Sequence, residues 1–272
     1  MPGVEYGDPM PQHSGRSAYL DAPFVALAHR GGFSAGAPIG LENTMSAFSA
    51  AWQLGYRYLE TDVHTTSDGV LVAFHDDTLD RVTDIGGRIA ERSWAEVAEA
   101  RIGGQEPIPR FDELLAAFPD ARFNVDLKAP GTESLLAAMI ERHAAWDRVC
   151  VGSFDGARLR RFRRMVGDRV ATAASPFTVA VFSLVPGLRT IWPRPGGVFQ
   201  VPEIDERTGV RVVSERMLRA AHRRGAAVHV WTVNDRADME RLIDLGVDGL
   251  ITDDIETLKR VLIERSMWEE RA

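Results

Sequence analysis

Four segments of the chain end in side chains that can do chemistry: Ala28-His29-Arg30-Gly31-Gly32, Leu59-Glu60-Thr61-Asp62-Val63, Phe74-His75-Asp76 and Asn124-Val125-Asp126-Leu127-Lys128. Alternate residues of a strand share a face, so Glu60 stands beside Asp62 at about 7 Å, and Asp126 stands likewise beside Lys128. Three carboxylates converging on one point repel one another unless a cation joins them. Hard oxygen donors select Mg²⁺, Ca²⁺ or Mn²⁺ over zinc. The competing reading is a solvated rim on which these acids pair with arginine and lysine. Arg30 and Lys128 bring fixed positive charge, a guanidinium fork and a point charge suited to phosphate oxygens. His29 and His75 end two different segments, and histidine transfers protons near neutral pH. Two histidines flanking a cation and a phosphate site read as one general base and one general acid, with the roles left open.

Such residues work only if the backbone brings four strand ends together. Apolar runs alternate with helical patterns from Phe24 onward. Strands are predicted at Phe24 to Ala28, Tyr58 to Val63, Arg122 to Leu127, Arg148 to Ser153, Val170 to Ala174, Val198 to Val201, Ala227 to Val233 and Gly249 to Thr252. Helices are predicted at Thr44 to Leu54, Glu133 to Ala145 and Gly156 to Met165. Val70 to Phe74 follows Tyr58 to Val63 across Ser67-Asp68-Gly69, too short a link for a parallel crossover and a strong hairpin signal. It is therefore expected to fold back antiparallel. Eight strands alternating with helices predict an α/β fold, a (β/α)8 barrel of the TIM type, with a hairpin excursion and a small insertion at 76–112 after the second barrel strand. An open, doubly wound sheet is the alternative. Residues 1–22 are rich in Gly, Pro and polar groups and read as a mobile arm before a single domain of 23–272.

With 272 residues, 45% of them hydrophobic, the chain can bury a core without staples, and its single cysteine, Cys150, rules out an internal disulfide. The net charge of −7 offers polyanions no general attraction, so nucleic acid is not an expected partner. The arginine-rich stretch Arg158 to Arg169 reads as a solvated helix face. The first residues lack the basic start and apolar run of a signal peptide, and the apolar stretch Phe177 to Trp192 is broken by Pro186, Gly187 and Arg189. The expectation is a cytoplasmic protein without membrane insertion. Phe177 to Leu188 reads as a buried or amphipathic barrel helix, which could accept a lipid tail if it were exposed at the mouth.

The ordered set His29-Arg30-Gly31, Glu42-Asn43-Thr44 with Ala47-Phe48, Gly55, Glu60-x-Asp62-Val63, Thr66-x-Asp68-Gly69, Val72, His75-Asp76, Leu79 and Arg81-x-Thr83 resembles the glycerophosphodiester phosphodiesterase family. The likeness continues through Ile108-Pro109, Asp126-x-Lys128, Ser153-Phe154, Trp231-Thr232-Val233-Asn234, Gly246-Val247-Asp248-Gly249 and Thr252-Asp253. The resemblance implies a (β/α)8 barrel and hydrolysis of a glycerophosphodiester to glycerol 3-phosphate and an alcohol. It implies Glu60, Asp62 and Asp126 as metal ligands, with Glu42 a further candidate directly or through water. It implies His29 and His75 as the acid/base pair and Arg30 and Lys128 as phosphate contacts. Asp126 stands where many members carry Glu, and Gly40-Leu41 replaces a usual Pro. Trp231 is the expected aromatic wall of the pocket, with a packing role as its alternative. His64, His143, His222 and His13 are left out, the two helical ones as solvated. Two rival functions remain: lysophospholipase D chemistry on a lysophospholipid, favoured by a greasy ramp at the mouth, and a silent phospho-ligand-binding barrel. The alcohol moiety and the oligomeric state are open.

Overall fold

The structure is a computed structural model that describes residues 17–33, 40–184, 197–206 and 208–270. Its first half runs β1 (Val25–Phe33), α1 (Met45–Gln53), β2 (Tyr58–Thr65), β3 (Leu71–Ala73), α2 (Trp94–Val97), β4 (Arg101–Ile102), β5 (Glu106–Pro107), α3 (Phe111–Ala117), β6 (Arg122–Leu127) and α4 (Thr132–Arg142). The second half runs β7 (Val149–Gly152), α5 (Gly156–Val166), β8 (Ala171–Thr172), α6 (Pro176–Leu184), β9 (Val198–Pro202), α7 (Glu215–His222), β10 (Ala227–Trp231), α8 (Arg236–Leu245), β11 (Gly249–Asp254) and α9 (Ile255–Glu264).

Among the described residues eight parallel strands run in the order β8-β7-β6-β2-β1-β11-β10-β9. The two ends of that order meet through a single parallel bridge, Ala173 with Val198, so the sheet is a nearly closed (β/α)8 barrel. The strands are apolar because both of their faces are covered, which is why β2 is buried at every position but its last. β3 pairs antiparallel with β2, Val63 opposite Ala73 and His64 opposite Val72, as the short Asp-Gly link predicted. The excursion after it has its own small core of Val72, Phe74, Leu79, Ile89, Val97 and Ile102.

β1 continues past its predicted end at Ala28 to Phe33, with a register shift against β11 in between. Arg30 (φ 52°), Gly31 (φ 89°) and Gly32 (φ 70°) all sit in the left-handed region there. Gly31 has no substitute: a Cβ would lie 2.8 Å from the Ala47 Cβ and 3.0 Å from the Phe48 nitrogen. Gly31 thus lets α1 press against the strand end, Gly32 leaves room for Ile255 at the start of α9, and Arg30 lines the mouth.

Two expectations change. Residues 1–16 of the predicted mobile arm lie outside the described residues, but Ala18–Leu20 form a turn of 3-10 helix that is packed in place. Tyr19 is fully buried with Leu27, Cys150, Ala171, Val198 and Ile251, its ring 5.4 Å from Tyr58 and edge-on to it. An aromatic ring in a barrel interior buries more apolar surface than a solvated arm could, and that docks the segment. The arginine-rich stretch is also not simply a solvated face. Arg158 is buried and donates to the Leu127 carbonyl at 2.7 Å, and Arg163 donates to the Ala173 carbonyl at 2.7 Å. These guanidinium groups satisfy strand-end carbonyls, which leaves only part of the helix's charge to solvent. Among the described residues no helix is long and apolar enough to cross a membrane.

Candidate active site

One cavity of about 610 Å³ opens at the C-terminal ends of the strands, and His29, Arg30, Glu60, Asp62, His75, Asp126, Lys128 and Trp231 all line it. That is the face where barrels of this kind place their sites. β1 delivers His29 and Arg30, β2 delivers Glu60 and Asp62, and β6 delivers Asp126 and Lys128 in register, with Asp62 opposite Asp126. His75 arrives on the antiparallel arm, where the Phe74 amide donates to the Asp62 carbonyl at 3.0 Å. Asn43 ties the loop after β1 to β2: its amide donates to the Arg30 carbonyl at 2.8 Å, and its side-chain oxygen accepts from the Thr61 hydroxyl at 2.7 Å.

The two histidines are held alike. His29 donates from Nδ1 to Asp253 Oδ1 at 2.6 Å, and His75 donates from Nδ1 to Asp76 Oδ1 at 2.6 Å. An ionised carboxylate only accepts, so each Nδ1 carries hydrogen, and each Nε2 is the nitrogen left for chemistry. His29 Nε2 lies 3.9 Å from Glu60 Oε2. Burial alone would lower the His29 pKa, but the Asp253 and Glu60 carboxylates outweigh it and raise it. Asn234 steadies Asp253, donating to Oδ2 at 2.8 Å. Arg81 steadies Asp76 at 2.5 Å, so that against the upward pull of burial Arg81 and His75 bring the Asp76 carboxyl down to about 2.

The carboxylates are deeply buried, Glu60 at 6% and Asp62 at 2% exposure. Lys128 Nζ bridges Asp62 Oδ1 at 2.9 Å and Asp126 Oδ2 at 2.7 Å, and Arg30 Nε lies 3.3 Å from Asp62 Oδ2. Against burial, Lys128 and Arg30 hold Asp62 below the usual carboxylate range, whereas burial raises Asp126 in spite of Lys128. Burial and the neighbouring Asp62 push Glu60 up to about 7. Glu60 is therefore the acid whose charge the surrounding cations compensate least, and a divalent cation would supply what it lacks. The donors are all hard oxygens, the set that suits Mg²⁺, Ca²⁺ or Mn²⁺. Among the described residues no three acidic, imidazole or thiol groups are gathered tightly enough to grip an ion as they stand, and Lys128 lies between Asp62 and Asp126. Glu42 is drawn into a different set of contacts: Arg30 reaches it at 3.1 Å and Arg81 at 2.5 Å.

Residues 29–257 match the model of the glycerophosphoryl diester phosphodiesterase family. The chain belongs to that family. Its relatives include a Mycobacterium tuberculosis protein named "Probable glycerophosphodiester phosphodiesterase 2", 37% identical over 90% of this chain and 93% of that one. A glycerophosphodiester phosphodiesterase of Caldanaerobacter subterraneus subsp. tengcongensis is 30% identical over 86% of this chain and 96% of its own. The fold is shared with a phosphodiesterase of Oleispira antarctica solved in complex with the product sn-glycerol-3-phosphate, at a TM-score of 0.71 and 22% identity, covering 91% of this chain and all of that one.

Within this phosphodiesterase family site, Asp253, Asp76 and Asn234 carry tasks that residue types alone did not assign. His64, set aside on the sequence, is 5% exposed and its Nε2 donates to the His75 carbonyl at 3.0 Å, with burial holding its pKa below the ordinary value. His222 is not simply solvated: it meets Asp248 at 2.7 Å on the opposite end of the barrel. Trp231 lines the cavity with its ring 5.9 Å from Phe154, and Lys128 Nζ stands 5.5 Å from the Phe154 ring.

Proposed function

We propose that this chain hydrolyses glycerophosphodiesters to glycerol 3-phosphate and an alcohol by proton transfer between His29 and His75, with a divalent cation. The observation that carries the reading is the pair of histidine–aspartate couples facing one cavity that also holds Arg30, Lys128 and the three acids. Glu60, Asp62 and Asp126 would hold the cation, which when bound neutralises charge on a nonbridging phosphate oxygen. Arg30 and Lys128 orient the phosphate and stabilise the charge that grows on it. One histidine takes a proton at Nε2 from the entering hydroxyl, of water or of the glycerol, and the other returns one to the departing alkoxide. Asp253 and Asp76 keep both rings in the tautomer this exchange requires. Trp231 and Phe154 stand ring to ring along the cavity, beside Lys128.

Turnover of a panel of glycerophosphodiesters with Mg²⁺, Ca²⁺ or chelator tests the reading. Product is expected with a cation and none with chelator, and Asp62→Asn should abolish turnover and the rise in Tm that the cation gives the parent protein. Undiminished turnover in chelator would end the cation assignment.

A further inference from the structure

The charged groups described above stand at the strand ends. One level deeper, the barrel interior holds a neutral pair. Asn124 shares its face of β6 with Asp126 and Lys128 and lies two residues, about 7 Å, below Asp126. Gln200 of β9 donates from Nε2 to Asn124 Oδ1 at 2.8 Å, and both side chains line the cavity.

This bond spans the barrel. Between β9 and β6 lie β8 and β7, where the cavity is lined by Ala173 and Gly152. Neither carries a side chain long enough to stand in the way of the Gln200 amide. A Cβ at Gly152 would lie 3.5 Å from Gln200 Oε1 and 3.7 Å from the Ala173 Cβ, so the glycine leaves that volume to the cavity.

The pair has a definite polarity. Asn124 is 4% exposed; its oxygen is spent on Gln200, and its Nδ2 remains as a donor. Gln200 has spent a donor and keeps Oε1 as an acceptor. Among the described residues neither atom has a further protein partner. Buried polar groups are paired in folded proteins, so these two call for a ligand that both donates and accepts. A hydroxyl does both, whereas an ionised phosphate oxygen only accepts and an ammonium only donates. A quaternary ammonium does neither. Of the two ends of a glycerophosphodiester, the glycerol therefore fits. Its 2-hydroxyl stays beside the ester, at the charged level, and its terminal hydroxyl reaches deeper.

We propose that Gln200 and Asn124 read the terminal hydroxyl of the glycerol, which donates to Gln200 Oε1 and accepts from Asn124 Nδ2. The substrate then lies with its glycerol down the barrel and its departing alcohol at the rim. This rests on the hydrolytic reading above and adds the residues that select the substrate.

The test compares glycerophosphocholine with the phosphocholine diester of propane-1,2-diol in matching configuration, which lacks only the terminal hydroxyl. The analogue keeps the 2-hydroxyl, so the nucleophile is retained whether it is water or the glycerol. A site that pairs buried polar groups with a substrate hydroxyl rejects the analogue that lacks it, and kcat/KM should fall by about 10². Gln200→Met keeps the volume and removes the acceptor, which should bring the two kcat/KM values within about threefold of each other. Gln200→Asn keeps an amide but withdraws it by one methylene and should do the same, so the outcome does not hang on the folding of one variant. A merely structural role would lower both substrates together and leave their ratio high. A readout apart from turnover is calorimetric binding, with Mg²⁺, of sn-glycerol 3-phosphate against the matching propane-1,2-diol phosphate. The parent protein should bind the first about tenfold more tightly, and the Gln200 variants should bind both alike. Equal turnover of the two diesters by the parent, or a preference that persists in both variants, overturns the hydroxyl reading and leaves hydrolysis standing. No turnover of either diester, with a Gln200-dependent preference for glycerol 3-phosphate, overturns the hydrolytic reading and leaves the hydroxyl site. No turnover and no such preference overturns both.

Discussion

His29 and His75 each spend one ring nitrogen on a carboxylate and keep the other for the cavity. A positioned proton donor or acceptor typically contributes about 10² to 10⁴ in rate, so His29→Ala and His75→Ala should each lower kcat by roughly that factor. The double variant should lose much less than the product of the two, since in the proposed mechanism both serve one transition state. A nitrophenyl diester, whose leaving group needs no proton, should rescue only the variant that lacks the acid, and steady-state rates on it assign the roles. Asp253→Asn should lower kcat and move the His29 limb of the pH–rate profile to lower pH, because Asp253 raises the His29 pKa. An unmoved limb would remove Asp253 from this role. Strand parity alone put Glu60 with Asp62 and Asp126 with Lys128. It could not assign Asp253, because its bond to His29 joins positions 224 residues apart and leaves no local pattern.

At the scale of elements, the arm that carries His75 is pinned three ways: by the short ladder of β3 on β2, by the His64 bond to the His75 carbonyl, and by Arg81 bridging Asp76 and Glu42. Arg81 is 48% exposed, so its ion pairs add only about 1 kcal/mol or less to stability. Arg81→Met should therefore leave Tm nearly unchanged while lowering kcat through a looser His75, and a Tm loss without a kcat loss would contradict that division. The antiparallel arm was legible because Asp68-Gly69 and a short link leave no other topology. The end of β1 was not, because its apolar run stops at Ala28 while the strand continues through left-handed turns at two glycines, one packed under α1 and one under Ile255 of α9. α6 was legible as an apolar segment, but a segment apolar on several faces has no stripe to say which side meets the core.

Over the whole molecule, the eight-strand count held because parallel strands buried on both faces read as unbroken apolar runs. Tyr19 escaped notice, a lone aromatic in a polar stretch with no period around it. Far from the mouth, Asp248 accepts from the Val228 amide at 2.8 Å and from His222 at 2.7 Å. Burial alone would raise its pKa, yet these donors hold it below the ordinary value. A lowered native pKa gives stability that is complete above the unfolded-state value of about 3.9 and is lost as pH falls through the native one. Asp248→Asn should lower Tm by on the order of 5 °C near neutral pH with kcat unchanged, and the gap should close below about pH 4. A gap that persists in acid would show that the lost stability is packing and not charge.

Tyr19 also decides the traffic through the barrel. With its ring buried among the strand side chains and its carbonyl accepting from the Tyr58 hydroxyl at 2.9 Å, the axis is stoppered at the end away from the mouth. The molecule is a flask, not a pipe. Among the described residues whatever enters must leave past the same rim, so the product released last stands in the doorway of the next substrate, and inhibition by that product should be competitive.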